Sequence, residues 1–326
     1  MNSNEFRLEK NKFKIFNLFY LIKHKEMLFM KNENEIFKRV VPDYQPDDNA
    51  RTKIIDCGHV KEVRTIERIS NSPPPCKRIS KDLYLNKMTG EVREYKHKER
   101  EKNILGFKKT FTHLRCIINT NFKSDINELH IVLNYKKDMF DFDKASNDFK
   151  SFWGKLKYRY KNLEYIKIIE PHKSGSWHVH VLLKSSEYHY LFIPINELTK
   201  MWGHGSIKIK KITENDNIGA YFSPNCDYIV FLEENLNMST VSKKEIKGTR
   251  LKFYPSNKKF YSYSKGIQIP KIIITNYGIA KEILNFDECI YKEAYEIFKK
   301  DSVDNSVINI NRMLSMQFNS KRKKKS

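Results

Sequence analysis

The feature that most constrains the fold is a succession of strand-like and helix-like patterns that begins at Glu128. Apolar side chains recur at every second residue of 129–133, which is typical of a strand with one buried face. A helix is predicted to follow, with Asp143 as its N-terminal cap. Its apolar residues recur at the spacing of one helix face, which indicates core packing: Phe149, Phe152, Trp153, Leu156 and Tyr160.

Four further patterns complete this region. Tyr165–Glu170 and Trp177–Leu183 each predict a strand, and the turn residues of Lys173–Ser176 between them predict a hairpin. Asn196–Trp202 predicts a short helix and Ser206–Ile212 a strand. The order strand, helix, strand, strand, helix, strand is that of split β-α-β, ferredoxin-like folds. We therefore predict an α+β fold in which the helices cover one face of an open antiparallel sheet and leave the other uncovered.

The charge of the chain points to its partners. The formal net charge of +22 predicts attraction to polyanions, of which nucleic acid is the commonest and an anionic membrane surface the main rival. No run of about eighteen apolar residues occurs, so no membrane span is predicted. No Gly-x-x-x-x-Gly-Lys-[Ser/Thr] motif occurs, so no ATP site is predicted. Five cysteines without a Cys-x-x-Cys pair indicate thiols in a reducing cytoplasm.

Composition divides the chain into three predicted regions. Residues 1–105 are predicted to be basic and loosely organised, because prolines interrupt any long periodic element. Within them the charge-dense segment that starts at Lys87 is predicted to hold a short hairpin at Thr89-Gly90, followed by a helix. Residues 106–227 are predicted to form the α+β domain. Residues 228–326 are predicted to be an accessory region that contacts nucleic acid and ends in a basic tail.

Two histidines that flank a valine carry the strongest chemical signal. Alternate residues of a strand point to the same face, so His178 and His180 can bind one ion together while Val179 packs into the core. Glu170 ends the preceding strand, and the predicted hairpin returns its carboxylate to the histidines. Two histidines and one carboxylate leave coordination positions open and suit a divalent ion such as Mn²⁺ or Mg²⁺. His172 is a candidate for a further ligand or for a residue that supports one.

A tyrosine is the candidate nucleophile for such a site. A metal ion in an open site polarises a phosphoryl oxygen for in-line attack, and the attacking group must come from the chain. Tyr221 is predicted to lie on a helix that begins near Asp216, where the small residues Gly219 and Ala220 permit close approach to the sheet. A tyrosine oxygen can form a covalent ester that divides one difficult step into two.

Two basic segments each allow two interpretations. Lys208 and Lys210 share a face of a predicted strand, with Lys211 next to them, and they either bind a phosphate backbone or are solvated lysines. Aromatic residues and lysines alternate in residues 252–265. That mixture suits stacking of single-stranded bases, but a buried hairpin gives the same pattern.

These motifs resemble those of a known family. Asn162–Leu183 (NLEYIKIIEPHKSGSWHVHVLL) resembles the second motif of rolling-circle replication initiators, which belong to the HUH endonuclease superfamily (histidine, hydrophobe, histidine). The similarity continues over Trp202–Tyr221 (WGHGSIKIKKITENDNIGAY), and Glu128–Tyr135 (ELHIVLNY) is similar to the first motif. It is fainter over Lys247–Pro270, so the resemblance covers roughly residues 80–270.

The resemblance implies a role for each site residue. It implies that His178 and His180 hold the metal, that Glu170 completes the set and that Tyr221 is the nucleophile. It also implies an HUH core of ferredoxin-like fold with N- and C-terminal extensions. No tyrosine follows four residues after Tyr221, which implies a one-tyrosine mechanism or the participation of Tyr228.

The activity implied is sequence-specific nicking and rejoining of one DNA strand by metal-assisted transesterification. The products are a 5′-phosphotyrosine and a 3′-hydroxyl that primes rolling-circle replication of a plasmid or similar small replicon. The implied partners are double-stranded origin DNA with a single-stranded nick site, a host helicase and a host polymerase. The alternatives are a relaxase or transposase with the same site, and a non-catalytic ferredoxin-like protein that binds nucleic acid.

Overall fold

A computed structural model describes residues 36–41, 43–68, 76–80, 82–95, 104–210, 212, 218–219, 249–256, 258–300 and 307–321. These residues form three sheets, whose strands are β1 Ile36–Val40, β2 Arg51–Cys57, β3 Val60–Ile66, β4 Cys76–Arg78, β5 Leu83–Asn86, β6 Val92–Glu94, β7 Glu128–Leu133, β8 Leu163–Pro171, β9 Trp177–Ser185, β10 Ile207–Lys210, β11 Tyr261–Tyr263, β12 Lys271–Asn276, β13 Cys289–Lys300 and β14 Val307–Asn319. The α-helices of the same ranges are α1 Ile104–Asn121, α2 Phe142–Arg159, α3 Ile195–Trp202 and α4 Tyr277–Ile283.

The central sheet has five strands in the order β10-β7-β9-β8-β11. Every neighbouring pair in it is antiparallel. Along the chain, β7, α2, β8, β9, α3 and β10 have the split β-α-β order, and β11 adds a strand beside β8. The predicted α+β fold with an open antiparallel sheet is therefore confirmed.

Helix α2 shows how the local sequence builds this unit. Asp141 caps the helix, because its backbone is extended and its carboxylate accepts a hydrogen bond from the Lys144 N–H at 2.9 Å. The prediction of Asp143 as the cap is wrong: Asp143 lies in the first turn, and its carboxylate pairs with Lys258 at 2.9 Å. The predicted core-facing stripe is confirmed by the buried residues of the helix, which are Phe142, Ala145, Phe149, Phe152 and Leu156.

The pleat of the central sheet separates its residues into two faces. On the helix-covered face, the alternation of β9 places Val179 and Val181, both fully buried. On the opposite face, which we call the site face, the register aligns Val132, His180 and Ile168 across three strands. Partners in an antiparallel register point to the same side, so the residues of this row share one surface.

The site face, which was expected to be uncovered, is covered in part by α1. Tyr261 lies opposite Ile168 on this face, and its hydroxyl is 2.7 Å from Nδ1 of His113 on α1. The rings of Phe111 on α1 and Phe260 before β11 are 4.9 Å apart. An additional helix ahead of the split β-α-β unit therefore closes part of the surface that the unit alone would expose.

The chain divides into two compact units. One comprises residues 1–54, 62–70 and 273–318, and the other comprises residues 55–61, 71–272 and 319–326. The second unit contains the five-stranded sheet. It also contains the three-stranded sheet β4-β5-β6, where β5 and β6 pair on either side of Gly90, which confirms the predicted short hairpin.

The first unit is built on the six-stranded sheet β1-β13-β14-β3-β2-β12. Ile54, Val63, Leu314 and Ala280 of α4 belong to its buried core. Residues 51–66 form two strands, although they lie in the region predicted to be loosely organised. The three-part division at residues 105 and 227 stays a prediction. In the described part of the chain, no helix is long and apolar enough to span a membrane.

Candidate metal centre

Three donor side chains converge on the site face. The ligand atoms of Glu170, His178 and His180 all lie within 4.8 Å of one another. The antiparallel register of β8 and β9 places Glu170 opposite His178, and His180 follows two residues later on the same face. Nε2 of His180 lies 3.2 Å from Oε2 of Glu170 and 2.9 Å from Nε2 of His178. The hairpin thus brings together the residues that the sequence analysis selected.

The tight turn of this hairpin depends on a glycine. Gly175 has φ of 90°, a left-handed conformation that side chains disfavour. A Cβ atom at this position would lie 2.8 Å from Cε1 of Phe253. The turn is closed by a hydrogen bond from the His172 N–H to the Ser176 carbonyl at 2.7 Å. Glycine therefore meets a backbone requirement and a packing requirement at once, and the strands enter the site in a fixed register.

The electrostatics of the site favour the protonation states that a metal ion needs. Burial opposes ionisation of Glu170, but its contact with His180 and the charges of His178 and Arg250 lower its pKa to about 2. Burial, followed by the charge of His180, lowers the pKa of His178 to about 3. At neutral pH the carboxylate is therefore ionised and the His178 imidazole is neutral, as metal ligands must be.

A histidine that the sequence analysis did not select supports His180. Nε2 of His130 on β7 is 2.9 Å from Nδ1 of His180, and the two rings stack with centroids 5.2 Å apart. Burial, with the charges of His180 and Lys210, lowers the pKa of His130 to about 3, so this imidazole is neutral and can accept a proton. If Nε2 of His180 is a metal ligand, its proton must lie on Nδ1 and is donated to His130.

His172 lies against the metal ligands rather than among them. Its ring stacks on that of His178, with centroids 4.0 Å apart and an angle of 21° between planes. The cluster of donor atoms comprises Glu170, His178 and His180 without it. Burial, followed by the charge of Arg250, lowers the pKa of His172. Its geometry suits the supporting role more than the role of a further ligand.

The donor set fits a divalent cation. One carboxylate and two imidazoles supply three donors, and the two Nε2 atoms at 2.9 Å point toward one another. Two neutral nitrogens bring their lone pairs that close at a cost unless a proton or a cation lies between them. The arrangement is a candidate metal-binding triad with oxygen and nitrogen donors and further coordination positions open.

An arginine completes the surroundings of the carboxylate. Nη1 of Arg250, on a 3₁₀ helix at Thr249–Phe253, lies 3.4 Å from Oε1 of Glu170 and 3.3 Å from the Pro171 carbonyl. The sequence analysis did not select it, because 80 residues separate it from Glu170 and no local pattern links the two.

The candidate nucleophile Tyr221 lies outside the described residues, as do Tyr228 and Lys211. Gly219, two residues before Tyr221, is described, and its N–H donates to Oδ1 of Asn119 at 2.7 Å. A Cβ atom at Gly219 would clash with the backbone carbonyl oxygen of Arg115. The close approach that this glycine permits is therefore to helix α1, and not to the sheet as the sequence analysis expected.

The two described lysines of β10 lie on the site face. Lys208 pairs with Val132 and Lys210 pairs with His130, so both side chains point to the side that carries His180. Both are exposed. In the aromatic and lysine-rich segment that follows Arg250, Tyr254 and Phe260 are buried in the core, which confirms packing rather than base stacking for these two rings.

A ferredoxin-like sheet with a two-histidine, one-carboxylate triad on one face defines the class of this protein: an α+β protein with a candidate metal centre. The family model for the replication-associated protein ORF2 matches residues 128–229. The matched segment runs from β7 past β10, and it includes the triad and Tyr221. It covers less than half of the chain, and over this part the chain is similar to replication-associated proteins, which supports a replication initiator. No curated protein sequence matches the chain.

Proposed function

We propose that this protein initiates rolling-circle replication of a plasmid or similar small replicon by nicking and rejoining one DNA strand. The observation that carries the proposal is the convergence of Glu170, His178 and His180 on one face of the split β-α-β sheet. The match of residues 128–229 to replication-associated proteins supports the same function. We place the nicking activity in residues 106–227 and assign DNA contacts to residues 228–326.

The triad would hold Mn²⁺ or Mg²⁺, which polarises a phosphoryl oxygen and orients the phosphodiester when bound. His130 keeps the His180 proton on Nδ1 and so leaves Nε2 available, and His172 buttresses the His178 ring. The phenol oxygen of Tyr221 attacks phosphorus and the bond from phosphorus to the 3′ oxygen breaks. The phenolic proton ends on that 3′ oxygen. The ester retains the phosphodiester bond, so the reverse reaction rejoins the strand.

The charge of the protein supports DNA as the substrate. The net charge of +22 and the exposed Lys208 and Lys210 on the site face suit a phosphate backbone that crosses the edge strand β10. Lys211 is proposed to extend this surface. We propose that the protein acts in the cytoplasm, binds double-stranded origin DNA and relies on a host helicase and polymerase, because its sequence has no ATP-binding motif.

Two other functions would use the same surface. A relaxase or transposase would share the metal site, but the candidate nucleophile Tyr221 follows the histidines here, which favours an initiator. A non-catalytic nucleic-acid-binding protein would use the basic surface alone. Metal dependence and a covalent adduct distinguish that protein from an enzyme.

The test is covalent trapping. The full chain is incubated with Mn²⁺ and labelled single-stranded oligonucleotides from its own replicon, then resolved on a denaturing gel. We expect an adduct that disappears with EDTA, with Tyr221→Phe and with His178→Ala plus His180→Ala. The exposed residues Tyr158 and His189 supply matched controls, and Tyr158→Phe and His189→Ala should trap as well as the natural protein.

Each outcome of this assay has a separate meaning. An adduct that survives Tyr221→Phe moves the nucleophile elsewhere, with Tyr228 tested next. An adduct that survives EDTA and the double histidine substitution removes the metal centre from the reaction. Binding without metal and without any adduct overturns the nicking function and leaves a basic nucleic-acid-binding protein.

A further inference from the structure

We propose that Arg250 forms a phosphate-binding subsite next to the triad and donates hydrogen bonds to a non-bridging oxygen of the phosphodiester that is cut. The inference rests on the proposed nicking function and goes beyond it. It adds a catalytic residue from outside the segment that matches replication-associated proteins, because that segment ends at residue 229.

The first argument is the unequal use of the guanidinium group. The side chain of Arg250 is 19% exposed, and its contacts to Glu170 and to the Pro171 carbonyl both use Nη1. Nε is buried and has no hydrogen-bond partner among the described residues. A buried donor without a partner is uncommon and costs free energy, so an acceptor brought by a ligand is the simplest explanation.

The second argument is the geometry of the pair with Glu170. Charge-assisted N–H···O bonds are typically about 2.7–2.9 Å long, whereas Nη1 of Arg250 and Oε1 of Glu170 are 3.4 Å apart. The other oxygen of Glu170 faces His180 at 3.2 Å. Arg250 therefore does not make the two parallel bonds of a dedicated arginine–carboxylate pair. Its planar fork retains donors, and their geometry matches a phosphate.

The third argument is charge balance. Glu170 is a candidate metal ligand, so its single negative charge is shared between Arg250 and a divalent cation. A guanidinium, a divalent cation and one carboxylate sum to a net positive charge. A phosphodiester supplies one negative charge and reduces that imbalance. The acceptor that fits is therefore an anionic oxygen of the substrate backbone, and not a further neutral group of the protein.

The expected role is electrostatic. During attack by the tyrosine oxygen, negative charge is spread over the non-bridging oxygens of the phosphoryl group. Arg250 would stabilise that charge while it keeps its own proton. The bond changes remain those of the transesterification: the bond from tyrosine oxygen to phosphorus forms, the bond to the 3′ oxygen breaks, and the phenolic proton ends on the 3′ oxygen.

The test uses three variants of the full chain. Arg250→Met removes the charge and keeps an unbranched stem, and Arg250→Lys keeps the charge without the fork. Arg159→Met is the matched control, because Arg159 is 66% exposed on helix α2, on the other side of the sheet. Three quantities are measured: Mn²⁺ affinity by calorimetry, the rate of adduct formation on the trapped oligonucleotide, and the salt dependence of single-stranded DNA binding in EDTA.

We expect Arg250→Met to lower the rate of adduct formation by about 100-fold or more, the usual effect of removing one donor to a developing anion. Its Mn²⁺ affinity should stay equal or rise, because a cation next to Glu170 has been removed. Its salt slope should fall by about 0.7, the value for one phosphate contact to a single strand. Arg250→Lys should recover about tenfold of the rate, and Arg159→Met should form the adduct as fast as the natural protein.

Several results would overturn the proposal. Natural rates for Arg250→Met do so directly. A fall in Mn²⁺ affinity that matches the fall in rate does so as well, because Arg250 would then only hold Glu170. If Arg250→Met fails to fold by circular dichroism, Arg250→Gln replaces it under the same criteria. If the natural protein forms no adduct, nicking itself fails, and the salt slope alone decides Arg250: an unchanged slope overturns it, and a reduced slope retains a phosphate contact.

Discussion

The two faces of the five-stranded sheet differ in chemistry although the same strands build both. On β9, Val179 and Val181 are fully buried on the helix-covered face, while His178 and His180 face the other way. The helix-covered face consists mainly of apolar side chains that pack against α2 and α3. The site face gathers imidazoles, a carboxylate and a guanidinium at hydrogen-bond distance.

The difference teaches that a pleated strand can separate stability from chemistry over a single residue. Buried apolar area on one face stabilises the fold. Buried polar groups on the other face cost free energy unless they are satisfied, and functional sites commonly reduce stability for this reason. Substitutions on the two faces should therefore have separable effects, and four predictions test this separation.

The largest effect is expected on the site face. We predict that His178→Ala with His180→Ala lowers Mn²⁺ affinity by at least about 1,000-fold, since loss of a residue that merely supports a ligand costs about 10–100-fold. The free energy of unfolding should change little. Calorimetric titration and urea unfolding measure the two quantities, with His189→Ala as the exposed control. Retained affinity would break the comparison, because the chemistry would not belong to this face.

The next effect is expected on the helix-covered side. Phe152 of α2 is 1% exposed and packs edge-on against Trp202, with centroids 6.0 Å apart. We predict that Phe152→Ala lowers the free energy of unfolding by about 3–5 kcal/mol. Mn²⁺ affinity of the folded protein should be unchanged. Phe140→Ala is the control, because Phe140 is 63% exposed and should be within about 0.5 kcal/mol of the natural protein.

The exception to the apolar helix-covered side gives a pH-dependent prediction. Lys167 is 4% exposed, its Nζ donates to Oγ of Ser146 at 3.1 Å, and burial, with the charge of Lys150, lowers its pKa from 10.5 to about 8. The unfolded chain binds this proton more tightly, so the free energy of unfolding should rise between pH 8 and pH 10.5.

Lys167→Met should therefore stabilise the protein by about 2–3 kcal/mol at pH 7 and by much less above pH 10.5. Urea unfolding at several pH values measures the difference, with the exposed Lys137→Met as the control. A difference that does not depend on pH would show that Lys167 contributes through packing and not through its charge.

The smallest effect is expected at His130, which touches the site without belonging to the triad. We predict that His130→Leu lowers Mn²⁺ affinity by about 10–100-fold, because Nδ1 of His180 loses its acceptor. His130→Gln keeps an acceptor and should recover about tenfold of this loss. Equal losses for both variants would contradict a role in fixing the His180 proton and would leave only packing.

Local periodicity accounts for the part of the fold that the sequence predicted. The strand–helix–hairpin succession from Glu128 to Leu183 follows from alternation and helical spacing, and the triad follows from the register of one short hairpin. The helix cap was misplaced because Asp141 and Asp143 offer the same chemistry two residues apart. Backbone angles distinguish them, and composition does not.

The rest depends on contacts between distant residues. His130 is 50 residues from His180, and Arg250 is 80 residues from Glu170. The pairing of β1 with β13 joins opposite ends of the chain. Such contacts depend on how elements pack, and no pattern within one element specifies them. His130 had a weak signal, since its alternation with Ile131 places it on the face opposite the core-facing residues of β7.

The register of β9 also protects the cell that contains this protein. A slip of one residue would turn Val179 toward the site and send both histidines into the core. Only a chain in the native register gathers the three donor atoms, so a misfolded copy lacks the means to hold a metal ion. For a protein proposed to cut DNA, the ability to break strands then arises only together with correct folding. Quality control is built into the pleat.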